Sequence, residues 1–236
     1  MNLLQIIQKA CQRSGIVQPT NVIGSNITQI QQMLGLLEEE INELTSRHAW
    51  NALINEVTWT TIANENQGDI KTICPGYRFI RNSTLWDNTT SLPIIGPLTG
   101  IVWQQRKATQ DEGPHWTWRL RNDDLLIIPT PTAGLTWKFE YVSSFGIVSA
   151  DGLTRKEFFT SDTDLMVLPS SLHLSGLRWR WRADKGIDYA ELYNQYELLV
   201  KDAMARDGGA SVLYSDEENI DAGPGIFIPV MSWLQP

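Results

Sequence analysis

Arginine and tryptophan alternate at Arg178-Trp179-Arg180-Trp181-Arg182, and Lys185 follows three positions later, forming the one dense basic patch of the 236-residue chain. Guanidinium groups make paired hydrogen bonds to carboxylates and phosphates, and indoles stack on bases, so this run could meet acidic protein or a nucleic-acid strand. On a helix, steps of two spread these residues over several faces. Trp181 would join a core through Leu174 and Leu177, with the arginines fanning outward. The preferred reading is an arginine-bearing helix that meets acidic surface on another copy or on a partner, with DNA contact as the alternative. One acidic counterpart lies in the same chain: residues 210–236 carry Asp216, Glu217, Glu218 and Asp221 and neither Lys nor Arg. Phe227 and Trp233 in that tail are apolar anchors for a partner's grooves.

Catalytic signatures do not assemble. The chain has no glycine-rich phosphate loop, no H-E-x-x-H and no G-x-S-x-G. His48 closes an apolar helical seam, His115 sits in a turn beside Trp116, and His173 lies in a helix, so structural or solvated roles are expected for all three. Cys11 and Cys74 form no C-x-x-C pair, which argues against a disulfide framework or a cysteine zinc site. No catalytic residue, cofactor or metal is expected. Ten tryptophans are unusual, and Trp59, Trp103, Trp116, Trp118 and Trp137 fall in strand-like segments. They could stack on sugar rings, but aromatics in strands mostly fill cores.

The elements that would position these residues follow from periodicity. Residues 2–14 form an amphipathic helix with Leu3, Ile7, Ala10 and Cys11 on one face and Gly15 as its stop. Ile27, Ile30, Leu34, Leu37, Ile41, Leu44 and His48 mark a helix of about six turns, capped by Ser25 or Asn26, with Glu38-Glu39-Glu40 and Glu43 on a solvated face. The period then changes to two. Strands are expected at 57–62, 77–82, 100–105, 116–120, 125–128 and 136–142, separated by turn signals such as Pro75-Gly76 and Asn122-Asp123. Helices return at Ser170–Lys185, with Pro169 in the first turn. A last helix begins at Asp188, with Tyr189, Tyr193, Tyr196, Val200 and Ala203 on its apolar face.

The expected fold class is α+β. Residues 1–51 and 150–207 form a helical bundle, 52–149 an inserted small antiparallel β-sandwich or barrel, and 208–236 an extended C-terminal arm. A net charge of −8 argues against a broadly basic DNA-wrapping face. No apolar run is long enough to span a bilayer, and Met1–Lys9 lacks the pattern of a signal peptide, so a soluble chain is expected.

Several segments, taken in order, carry a resemblance. They are Leu36–Leu44 closing on His48-Ala49-Trp50, Gln67-Gly68-Asp69, Arg81–Asp87, Leu92–Pro97, Asn122–Pro131, Phe139–Ser143 and Gly176–Gly186. Over residues 1–207 the chain resembles the head-to-tail adaptors of tailed bacteriophages, the group that includes tail tubular protein A. The resemblance implies a virion protein forming a dodecameric ring beneath the portal, with a tail or nozzle protein docked below. Genomic DNA would pass through the ring without sequence-specific binding. A non-catalytic acidic chain suits that role, because negative walls repel phosphates and let DNA slide.

Overall fold

The computed structural model describes residues 1–109 and 115–208. It is a mixed α+β chain with six helices and antiparallel sheets among those residues. The order begins α1 (Leu3–Ser14), α2 (Thr28–Arg47), a 3-10 turn (Asn51–Leu53), β1 (Ile54–Thr60), β2 (Asn66–Asp69), α3 (Ile70–Ile73), β3 (Tyr77–Ile80), β4 (Trp86–Asp87) and β5 (Leu92–Pro93). Then follow α4 (Gly100–Thr109), β6 (Thr117–Arg121), β7 (Asp124–Ile128), β8 (Thr136–Ser143), β9 (Ile147–Val148), β10 (Arg155–Lys156), β11 (Leu165–Met166), α5 (Ser170–Asp184) and α6 (Ala190–Asp207).

The described residues divide into two units. The first comprises residues 1–55, 76–79 and 142–208. In α1, Asn2 and Gln5 exchange side-chain bonds with each other's backbone, and Gly15 ends the helix at a φ of 69°, a left-handed turn that glycine adopts without strain. Helix α5 packs against α1, α2 and α6. Two apolar clusters result. Leu3, Ile7, Met33, Leu37, Ile41, Leu177 and Trp181 belong to one; Leu44, Trp50, Leu172, Tyr196 and Val200 belong to the other.

Helix α2 bridges both clusters on a face turned from the expected one. Met33 and Glu40 are buried, whereas Ile27 is half exposed and Leu34 only half-buried. The expected solvated position of Glu40 is thus wrong: it is fully buried, because residue 40 lies one helical turn from both Leu37 and Leu44. The helix is capped by neither Ser25 nor Asn26. Its cap is Ile27, with no side-chain cap bond, and the Ser25 hydroxyl accepts from the Ile27 N–H instead.

The α5 and α6 starts also differ from expectation by a residue or two. Pro169 precedes the first turn of α5, and Tyr189 precedes α6 while the Asp188 carboxylate accepts from Ala190 N–H at 3.2 Å. Tyr196 and Val200 are buried, but Tyr189 and Tyr193 remain exposed, held against the Trp179 ring at centroid distances of 6.1 and 5.1 Å.

The second unit comprises residues 56–75 and 80–141. It holds the sheet β2-β7-β6 and the β4–β5 hairpin, which continues a sheet ordered β1-β8-β4-β5 with β3 also on β8. Strands β6 and β7 meet in the two-residue turn Asn122-Asp123. Both residues have positive φ, the conformation that matches a hairpin's twist and that Asn and Asp tolerate.

Residues 100–105 form no strand; they begin α4. Trp103 N–H donates to Thr99 O at 3.0 Å, and Arg106 and Lys107 sit favourably in the last turn. The β-branched pair Ile101 and Val102 suggested a strand, yet both side chains are exposed and only Trp103 is buried.

Candidate interaction surface

Helix α5 sends its arginines to opposite environments within the first unit. Arg180 faces inward: its Nε donates to Glu40 Oε2 at 2.8 Å, and its Nη2 bonds the Glu43 carboxylate. Arg47 bonds the same Glu43 and reaches Glu197 on α6 at 2.6 Å, with its guanidinium over the Tyr196 ring. The network therefore joins α2, α5 and α6. It corrects the expectation that the arginines of α5 all fan outward, because the acidic partners of Arg180 are in the same chain.

Gly176, one turn before Arg180, makes room for this contact. A Cβ there would overlap the Glu40 carboxylate. Gly146 serves similarly, where a Cβ would overlap Ile41 and press on Thr45. Burial pushes the Glu40 carboxyl above its usual range, against the pull of the nearby Tyr196 hydroxyl and of Arg180. The Tyr196 hydroxyl is close enough to act on the charge but does not reach hydrogen-bond geometry, so Glu40 Oε1 has no full partner. Burial also opposes ionisation of Glu43, but its bonds to Arg180 and Arg47 prevail and hold its carboxyl low.

The other arginines turn outward. Arg178 and Arg182, with Arg13 at the end of α1, line a pocket of about 160 Å³ together with Trp181, Ile187 and Leu192. Burial and the positive charges of Arg13 and Arg182 lower the Arg178 pKa. Among the described residues no carboxylate pairs with Arg13, Arg178 or Arg182; Arg182 donates to the Asp188 backbone carbonyl at 3.2 Å. Lys185 lies over the Trp181 ring and bonds Gln32 Oε1 at 2.7 Å. Arg13 is a single arginine in an ordinary helix, and nothing in its local sequence singled it out. Asp216, Glu217, Glu218, Phe227 and Trp233 lie outside the described residues.

No family model matches this chain, and no curated protein matches it either. His173 is fully buried with both ring nitrogens unpartnered, and burial pushes its pKa down to about 4. His48 lies edge-on to Trp50 and 3.4 Å from Asp207, and His115 is exposed. Cys11 and Cys74 are buried free thiols, their pKa values raised by that burial. No group of three metal-ligating side chains occurs among the described residues. No described helix is long and apolar enough to cross a membrane.

The tryptophans of the second unit turn largely inward. Trp103, Trp118 and Trp137 are buried, and Trp59 and Trp116 pack on Trp137 at ring distances of 5.3 Å each. Their apolar area fills the interior of this unit.

Proposed function

We propose that this chain is a structural virion protein, a head-to-tail adaptor that joins portal to tail as one subunit of a ring around the DNA channel. The architecture in this reading is a helical bundle from residues 1–51 and 150–207, an inserted β-sandwich from 52–149, and a C-terminal arm from 208. The reading rests on the ordered set of motifs from Leu36 to Gly186. The structural observation that supports it best is the division of α5: Arg180 locks the helices together, while Arg178 and Arg182 with Arg13 present positive charge that no carboxylate among the described residues pairs. Such a surface suits assembly with an acidic neighbour, and closure of a ring would bring two different faces of adjacent copies together.

The partners in this reading are other copies of the chain, a portal protein, a downstream tail or nozzle protein, and DNA that passes without specific contacts. Electron microscopy of the chain mixed with its portal should show a ring stacked on the portal. Chains that never join a portal ring would sink the proposal. A carbohydrate-binding module is the rival reading, and its would-be platforms are the tryptophans now seen to be buried or packed on one another.

A further inference from the structure

Three guanidinium groups meet on one pocket of the first unit. Arg13 at the end of α1 lines it with Arg178 and Arg182 of α5 and with Ser14, while Trp181, Ile187 and Leu192 supply an apolar wall. A guanidinium offers N–H donors and no acceptor, and no described carboxylate lines the pocket.

Local causes account for part of this charge. Arg13 and Arg182 stand in the last turns of their helices, where carbonyl ends favour cations, and Arg182 also donates to Asp188 O at 3.2 Å. Among the described residues Arg178 has neither support. It lies in the middle of α5, half-buried, and burial together with the charges of Arg13 and Arg182 lowers its pKa. The carboxylates nearest in sequence are engaged elsewhere: Asp184 with Lys185, Asp188 with the Ala190 N–H, and Glu191 with Gln195. An anion in the pocket would relieve the repulsion and favour the charged form of Arg178.

Size and valence narrow the anion. A volume of about 160 Å³ holds about five water-sized groups, which is the heavy-atom count of one phosphate and too little for a base with its sugar. A carboxylate presents two oxygens, whereas a phosphate dianion presents three to share among three guanidinium forks. The chain as a whole carries −8, so uptake of anions elsewhere on it is disfavoured. We propose that the Arg13–Arg178–Arg182 pocket binds one phosphate group, either free phosphate or a phosphomonoester whose carbon portion runs along Ile187 and Leu192. This goes beyond the adaptor reading and stands whether or not the chain assembles on a portal.

Calorimetric titration of the full-length chain with inorganic phosphate and with phenyl phosphate tests it, at an ionic strength of about 0.1 M to screen distant charges. One phosphate per chain should bind, at least about tenfold tighter than acetate. Arg13→Gln and Arg182→Gln, both at exposed positions, should each weaken binding about tenfold, the loss of one charge-assisted hydrogen bond. Arg178→Lys keeps a positive charge but loses the fork, and should weaken it as well. Arg206→Gln removes an exposed charge about 21 Å along α6 from Leu192 and should change affinity less than about twofold. Circular dichroism verifies the fold of each variant. Tighter binding of phenyl phosphate identifies an organic monoester as the ligand; equal or weaker binding identifies the free anion, and either result upholds the site. The proposal is overturned by the absence of saturable uptake, by acetate binding as tightly as phosphate, or by affinity indifferent to Arg13→Gln and Arg182→Gln. An oligonucleotide without terminal phosphate that binds here and resists displacement by phosphate also overturns it, since the pocket would then belong to a nucleic-acid backbone.

Discussion

Arg180 and Arg182 are two residues apart on the same turn of α5 and meet opposite surroundings. Arg180 is desolvated and held by two carboxylates of α2, so its charge belongs to the interior. Arg182 is exposed and among the described residues bonds a backbone carbonyl, that of Asp188. The same guanidinium is an internal tie in one place and recognition surface in the other. What decides is the angular position on the helix and the notch at Gly176, rather than the residue type.

The sharpest test of this contrast is alanine at each position. Arg180→Ala strands the buried Glu40 carboxylate and should cost about 3–5 kcal/mol, whereas Arg182→Ala should stay within about 0.5 kcal/mol. Urea unfolding of both variants measures the gap, and equal losses would erase the distinction between the two faces.

Next in size is the effect of His173 within the core. Above about pH 6.5 it is neutral in both folded and unfolded chains. Between about pH 6.5 and its folded value of about 4, only the unfolded chain takes up the proton, so stability falls as pH falls. His173→Leu removes this linkage and should gain up to about 3 kcal/mol relative to the parent at pH 4 over the difference at pH 7. Thermal melts at the two pH values read that difference. A gap that does not change with pH would mean that water or another group reaches the ring.

The notch gives a smaller, coupled effect. Gly176→Ala should destabilise by about 1–3 kcal/mol through overlap with Glu40. In a Glu40→Ala background the same change should cost nothing or stabilise slightly, because alanine favours helix. Additive effects in that double-mutant cycle would show that the carboxylate is not what fills the notch. Smallest is Lys185→Ala, which loses the contact with the Trp181 ring and should cost about 0.5 kcal/mol by the same measurement.

Helix positions were legible because apolar spacing survives in sequence: α1, α2, α5 and α6 all lie where periods of three and four place them. The face of α2 was less legible. Glu40 stands within a run of three glutamates that resembles a solvated stripe, and its partner Arg180 is 140 positions away, so no local pattern joins them. Helix α4 was hidden by Ile101-Val102-Trp103, whose strand propensity yields here to the helix-forming stretch Gln104–Ala108. Within the cationic pocket, Arg178 and Arg182 stood out in a dense run. Arg13 did not, because only the packing of α1 on α5 brings it there.

Gly176 also sets the axial register of α2. If α2 slid by one turn, about 5.4 Å, Leu36 or Leu44 would come opposite the notch in place of Glu40. Hydrocarbon would then replace Glu40 beside the guanidinium of Arg180; Glu39 would stand in for Glu43 in one displacement and Arg47 in the other, so the charge keeps at most one of its two partners. Sliding costs an apolar seam little, since one leucine replaces another. A single acid set into a single gap makes the displaced arrangements unequal, so the carboxylate acts as an index mark that tells the folding chain where α2 must stop.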